Sequence, residues 1–381
     1  MKMRHFDRRE FVHLSALAAG GVALGACGDG SVVPTGPSGP GQPPPPPAPP
    51  PWSPPGPSDP VSRVSAARGT DLGELTRGAL DRLGGIGEVV GKDETVFIKP
   101  NMVTLPWAST GERFTGGECT KPEIVAAVAE ECLRAGAAEV IIGDGSQMPS
   151  FDWSLAATLD GSTNLVEEAS RLRRAYGKPV SAVSLESDSP GWTDIPSRTY
   201  LRTIAVSSFL TEADRVISIP VAKTHSWAQL TLSLKNFVGV TSLEKYGVWT
   251  GGSWDRGGGF DHSSPEAIAG IYLDVVRGVT PDLAVVDFSI GMEGDGPTFG
   301  SGGRTVDVRS RLGSWLVLAS TDLVAADATA ARIMSHDVAA QEQLILAYEL
   351  GIGEPREEAI ELLGESLEAL RMPWQAARLR N

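Results

Sequence analysis

Cysteine is nearly absent: the 381-residue chain holds three, at Cys27, Cys119 and Cys132. None stands in a Cys-x-x-Cys pair, so neither an iron–sulfur cluster nor a Cys-ligated zinc is expected. Histidine is also scarce, at five residues. Positive charge is in deficit, with 33 Lys and Arg against 47 Asp and Glu and a formal net charge of −14. Nothing supplies the basic stripe that a phosphate backbone requires, which excludes nucleic acid as the expected partner. No Gly-x-Gly-x-x-Gly follows a strand and no Gly-x-x-x-x-Gly-Lys-Ser/Thr occurs, so nucleotide binding has no motif. No serine sits in a Gly-x-Ser-x-Gly elbow.

The first apolar run, Phe11 to Leu24, is too short to span a bilayer and is broken by His13 and glycines. Residues 1–27 read instead as an export signal. Asp7-Arg8-Arg9-Glu10-Phe11 resembles a twin-arginine motif, and Leu24-Gly25-Ala26-Cys27 resembles a lipoprotein cleavage box. The expectation is a protein passed through the twin-arginine machinery, lipidated at Cys27, and held at the cell envelope (periplasmic or outer face of a membrane) by an anchor that does not span. Residues 28–60 are a proline-rich linker with an unbroken run from Pro43 to Pro47. Such a segment forms no core and acts as a semi-rigid spacer, reaching roughly 100 Å at about 3 Å per residue.

From residue 61 to 381 the pattern is that of an α/β domain, in one body or two lobes. Helical spacing covers Leu72 to Leu83, Pro122 to Ala135, Leu165 to Ala175, Pro265 to Val276, Asp322 to Ser335, Gln341 to Leu350 and Glu357 to Leu363. Buried strands are read at Thr95–Ile98, Val140–Ile142, Val216–Ile219, Leu283–Val286 and Trp315–Ala319, with weaker ones near Val180 and Tyr200. Alternation of strand and helix predicts a mostly parallel sheet flanked by helices. The Gly- and Trp-rich stretch from Gly247 to His262 is a candidate lid.

Five of these strands end in polar groups: Lys99 and Asn101, Asp144 and Ser146, Lys223 and His225, Asp287 with the Glu293 loop, and Asp322. In a parallel sheet all five share the crevice at the strands' carboxyl ends, where such folds bind ligands. Lysines bind a carboxylate or phosphate as point charges, so Lys99, Asn101, Ser146, Lys235 and Asn236 are expected to hold a small anionic ligand. Asp144, Glu293 and Asp295, with His262, offer donors suited to a divalent metal ion of unspecified identity. His225 can exchange a proton near neutral pH or ligate a metal, and with Lys223 is the expected catalytic pair. Both are expected at a surface-like site, where removal costs little stability. The expected function is a metal-dependent enzyme acting on a small carboxylate or phosphate, the alternative a protein that only binds such an anion or a metal.

Phe97-Ile98-Lys99-Pro100-Asn101, Gly143-Asp144-Gly145-Ser146, Lys223-Thr224-His225, Leu234-Lys235-Asn236 with Gly239, His262, Glu293 to Pro297, and Asp322 with Asp327 together resemble the Domain of Unknown Function 362 family. The resemblance implies an α/β fold; some members carry an added ferredoxin-type cluster domain whose cysteines are missing here. A looser similarity, of fold only, is to the nickel-pincer lactate racemase group. The paired histidines of that group have no residue-by-residue match in this chain.

Overall fold

The computed structural model describes residues 62–109 and 111–380. The expected signal, linker and Cys27 lipidation site lie outside these residues. One 11-stranded sheet runs through them. Its strands are β1 (Ser62–Gly69), β2 (Thr95–Pro100), β3 (Glu139–Asp144), β4 (Val180–Ser184), β7 (Arg215–Ile219), β8 (Val221–His225), β9 (Gln229–Thr231), β12 (Leu283–Gly294), β13 (Gly303–Asp307), β14 (Trp315–Ser320) and β15 (Ile360–Leu363). Two hairpins stand apart, β5 (Trp192–Pro196) with β6 (Thr203–Ser207), and β10 (Val248–Thr250) with β11 (Ser253–Asp255). Helices of eight residues or more are α1 (Leu72–Arg82), α2 (Pro122–Arg134), α3 (Leu165–Tyr176), α4 (Pro265–Val279), α5 (Leu323–Ile333) and α6 (Glu342–Glu349).

The main strand order is β15-β1-β14-β12-β7-β2-β3-β4. Strands β12, β7, β2, β3 and β4 are mutually parallel. Alternation along each strand sends side chains to opposite faces. Val96, Ile98, Val140, Ile142, Ile217 and Val285 pack in one apolar layer with α1, α2 and α3; Phe97, Ile141, Val216, Ala284 and Val286 pack in the other with α4, α5 and α6. The sheet is thus covered on both faces, as a parallel sheet requires. Helix starts follow local chemistry: Asp71 accepts from Glu74 N, Ser264 from Ala267 N, and Pro122 opens α2, where a missing N–H costs nothing.

Four sequence expectations are corrected. Strand β14 is antiparallel to both neighbours, so Asp322 emerges at the edge opposite the other strand ends. There it caps α5 through Val324 N and Ala325 N. Lys223-Thr224-His225 is not a loop: Pro220 only bends the chain, which resumes as β8 beside β12 and β9. Asp287 and Glu293 lie inside the 12-residue β12. Residues Ile360–Leu363 form a strand, β15, rather than helix, and pair in parallel with the unexpected first strand β1.

Candidate functional site

A cavity of about 470 Å³ opens at the carboxyl ends of β2 and β3 and against β8. Lys99, Asn101, Asp144, Ser146, Lys223, His225, Lys235, Asn236 and His262 all line it. Residues 223 and 225, two apart on β8, share one face, and Thr231 on β9 stands directly opposite Lys223. Lys235 and Asn236 open a 3-10 helix, Lys235–Val240, placed just after β9.

Lys99 is fully enclosed, ion-paired with Asp144 Oδ1 (2.5 Å) and donating to Pro100 O (2.7 Å) and Asn236 Oδ1 (3.2 Å). Burial lowers its pKa, and Asp144 only partly offsets that. Asp144 also accepts from Met102 N at 2.5 Å. A side chain at Gly239 would place its Cβ 2.7 Å from Asp144 Oδ1 and 3.2 Å from Lys99 Nζ, so glycine there lets the backbone close over the pair. Lys223 donates to Glu118 O (2.6 Å) and, at 3.4 Å, to Asn101 Oδ1. It is fully buried rather than surface-like, and desolvation brings its pKa down to about 8.

Lys235 has no hydrogen-bond or ion-pair partner among the described residues. It keeps part of its surface open to the cavity, yet lies deep enough that desolvation, followed by repulsion from Lys223, Arg256 and Lys99, lowers its pKa to about 7. Arg256 escaped the sequence reading because it sits in the glycine-rich candidate lid. That segment is the β10–β11 hairpin followed by a turn, and the guanidinium is buried, donating to Ser146 O (3.0 Å) and Thr241 O (2.9 Å). Burial lowers its pKa to about 10. Lys223, Lys235 and Arg256 therefore leave the cavity with excess positive charge. The exposed Asp255 lies at the rim and accepts from Gly257 N.

The two histidines take opposite tautomers. His225 Nδ1 accepts from Trp227 N (3.1 Å) and Ala228 N (3.3 Å), so its single proton sits on Nε2. Desolvation and neighbouring cations hold its pKa well below 6.5. It is a fixed hydrogen-bond donor, not the proton exchanger or metal ligand that the sequence suggested. His262 Nδ1 faces Phe260 O at 2.8 Å and must be the donor there, which leaves a lone pair on Nε2. Its ring meets Trp227 edge-on, at 5.8 Å between centroids. Thr231 Oγ1 is buried and has no hydrogen-bond partner among the described residues.

The four expected metal donors are not brought together. Glu293 is held by Arg311 (2.9 Å), Arg304 (3.6 Å) and Gln375 N, and Asp295 by Arg378 (2.5 Å). Asp144 is committed to Lys99. Among the described residues no three His, Cys, Asp or Glu side chains converge as a metal set. The donors do not fit a divalent cation, whose charge the surrounding lysines would oppose. Asp287, expected at the crevice, is instead buried behind it against Lys121 (3.3 Å). Cys119 and Cys132 are both free and buried.

Among solved structures, the lactate racemase apoprotein from Thermoanaerobacterium thermosaccharolyticum matches with a TM-score of 0.34 and 9% identity, over 60% of this chain. The match spans half (50%) of that chain. The Thylakoid-associated protein sll1697 of Synechocystis sp. is 30% identical over 275 residues, 70% of this chain and 73% of that protein. The profile of the Domain of unknown function (DUF362) matches residues 96–332, and the chain belongs to that family.

Proposed function

We propose that the cavity binds a small anion, a carboxylate or phosphate, and acts on it by acid–base chemistry near neutral pH. One observation carries this: Lys235, a largely desolvated cation at the cavity with no counter-ion among the described residues, is surrounded by three further cations of which only Lys99 is neutralised. Charge buried in this way costs free energy until an anion supplies the missing partner. The acid–base group is Lys235, whose pKa of about 7 leaves both forms populated. His262 Nε2 is a second acceptor, and His225 Nε2–H a donor aimed at developing negative charge. A protein that merely captures an anion would use the same cations; the amine poised near neutrality and the two complementary histidine tautomers favour turnover.

The test is calorimetry and thermal melting with phosphate, citrate and acetate at pH 6.5 and pH 8.5. Multivalent anions should raise the melting temperature most at the lower pH, and Lys235→Met should lose that response. No shift with any anion would remove the reading. For location, we propose an exported lipoprotein tethered by Cys27 and the proline spacer, supported by the residue patterns at Arg8-Arg9 and Leu24–Cys27. Cys27→Ala should release the protein from membranes; unchanged fractionation would count against it.

A further inference from the structure

We infer that Lys235 is an imine-forming amine, and that the anion the cavity takes is a 2-oxo carboxylate. The inference rests on the anion-site reading above and adds to it the ligand's second functional group, a carbonyl.

Three features of the cavity are left unexplained by charge alone. The first is that Lys235 Nζ has no acceptor among the described residues, whereas Lys99 Nζ has two and an ion pair with Asp144. An ammonium serving only to bind an anion gains from hydrogen bonds that fix it; a nucleophilic nitrogen needs its lone pair free. Repulsion from neighbouring cations, after desolvation, keeps a large fraction of this amine neutral at pH 7, while Arg256 stays charged at about 10 to hold a carboxylate. The second is Thr231 Oγ1, buried at the cavity wall and without a hydrogen-bond partner among the described residues. A buried hydroxyl left unpaired costs roughly 1–3 kcal/mol, so an oxygen of the ligand is the natural partner. The third is the pairing of histidine tautomers, one presenting N–H and the other a lone pair.

An amine adding to a ketone needs each of these. Lys235 Nζ forms a bond to the carbonyl carbon, and the C=O π electrons move to oxygen. His225 Nε2–H and Thr231 O–H donate to that oxygen as it becomes negative. A proton leaves nitrogen, for which His262 Nε2 is the acceptor, and a proton reaches the oxygen, giving a carbinolamine. The nitrogen then forms the C=N bond as the hydroxyl leaves, and the remaining N–H proton, carried by His262 Nε2, joins that hydroxyl to release water. The sum is ketone plus amine giving imine plus water, with no oxidant or reductant. At about 470 Å³ the cavity admits a ligand larger than a three-carbon acid, the usual range for ligand sites being about 300–1,000 Å³.

The experiment incubates the full chain with pyruvate, 2-oxoglutarate or phenylpyruvate and sodium cyanoborohydride, then reads intact and peptide masses. The expected result is one adduct per chain, mapped to Lys235, with at least one of the acids. Lys235→Arg, which keeps the charge but not the nucleophile, should lower the adduct more than tenfold. Thr231→Val should slow its formation roughly tenfold with Lys235 intact. Succinate should compete without being trapped. If 2-oxo acids raise the melting temperature but leave no adduct at Lys235, or if only phosphate binds, the imine is overturned and the anion site stands. Adducts spread over surface lysines overturn it too. If no anion shifts the melt, both readings fall.

Discussion

Two lysines, Lys121 locked in the core and Lys235 at the cavity, show how the same residue serves structure or function. Lys121 lies against Asp287 with both side chains fully enclosed, and its remaining donors reach Cys119 O and Ile290 O. The amine has two carbonyl acceptors and the charge has a carboxylate, so this pair closes on itself. Lys235 instead keeps part of its surface open to the cavity, has no acceptor among the described residues and lies among cations. Lys99 and Lys223 fall between, the first satisfied by Asp144, the second by two oxygens and no carboxylate. A buried charge that the fold satisfies marks architecture; one that it leaves unsatisfied marks a ligand.

The largest effect should come from breaking the closed pair. Lys121→Met leaves Asp287 buried without a counter-charge and should lower stability by about 3–5 kcal/mol in a denaturant melt. Lys235→Met should do the reverse, leaving the ligand-free protein equally or more stable while abolishing anion-dependent stabilisation. If both variants lose several kcal/mol, the distinction between the two lysines fails. The distinction also predicts a pH dependence. Lys235 and Lys223 fall from 10.5 to about 7 and about 8 on folding. Between pH 7 and 8.5 the unfolded chain therefore holds protons that the native one has released, and the ligand-free protein should gain stability as pH rises. Anion binding should take up protons in that window, measurable by calorimetry in buffers of different ionisation enthalpy. Thr231→Val removes a buried hydroxyl that lacks a partner among the described residues and should raise the ligand-free stability by about 1–3 kcal/mol, while weakening anion affinity roughly tenfold, about 1.4 kcal/mol. The smallest effect belongs to Asp295→Asn: its partner Arg378 is 88% exposed, so under about 1 kcal/mol is expected and binding should not change.

Much of this was legible from local pattern. The β2–α2–β3 crossover follows from apolar runs, Pro122 and Gly136, and it fixes Lys99 and Asp144 at one sheet edge. Strand direction is not written in periodicity, however: β14 has the same apolar run whether parallel or antiparallel, so Asp322 was assigned to the wrong edge. Partners distant in sequence were also hidden. Glu293 and Asp295 looked like free metal donors until Arg311 and Arg378 claimed them. Arg256 was obscured by its glycine-rich surroundings, and the tautomer of His225 depends on two backbone N–H groups that only the turn after β8 supplies.

The placement of β1 has a mechanical consequence. It runs antiparallel to β14 and β14 antiparallel to β12, so β1 points the same way as the strands that end at the cavity. Its first residue, Ser62, therefore sits at the opposite rim, where its hydroxyl meets Asp322 Oδ2 at 2.5 Å. A label or carrier joined at Ser62 would therefore stand on the far side of the sheet from the cavity and leave the cavity mouth uncovered.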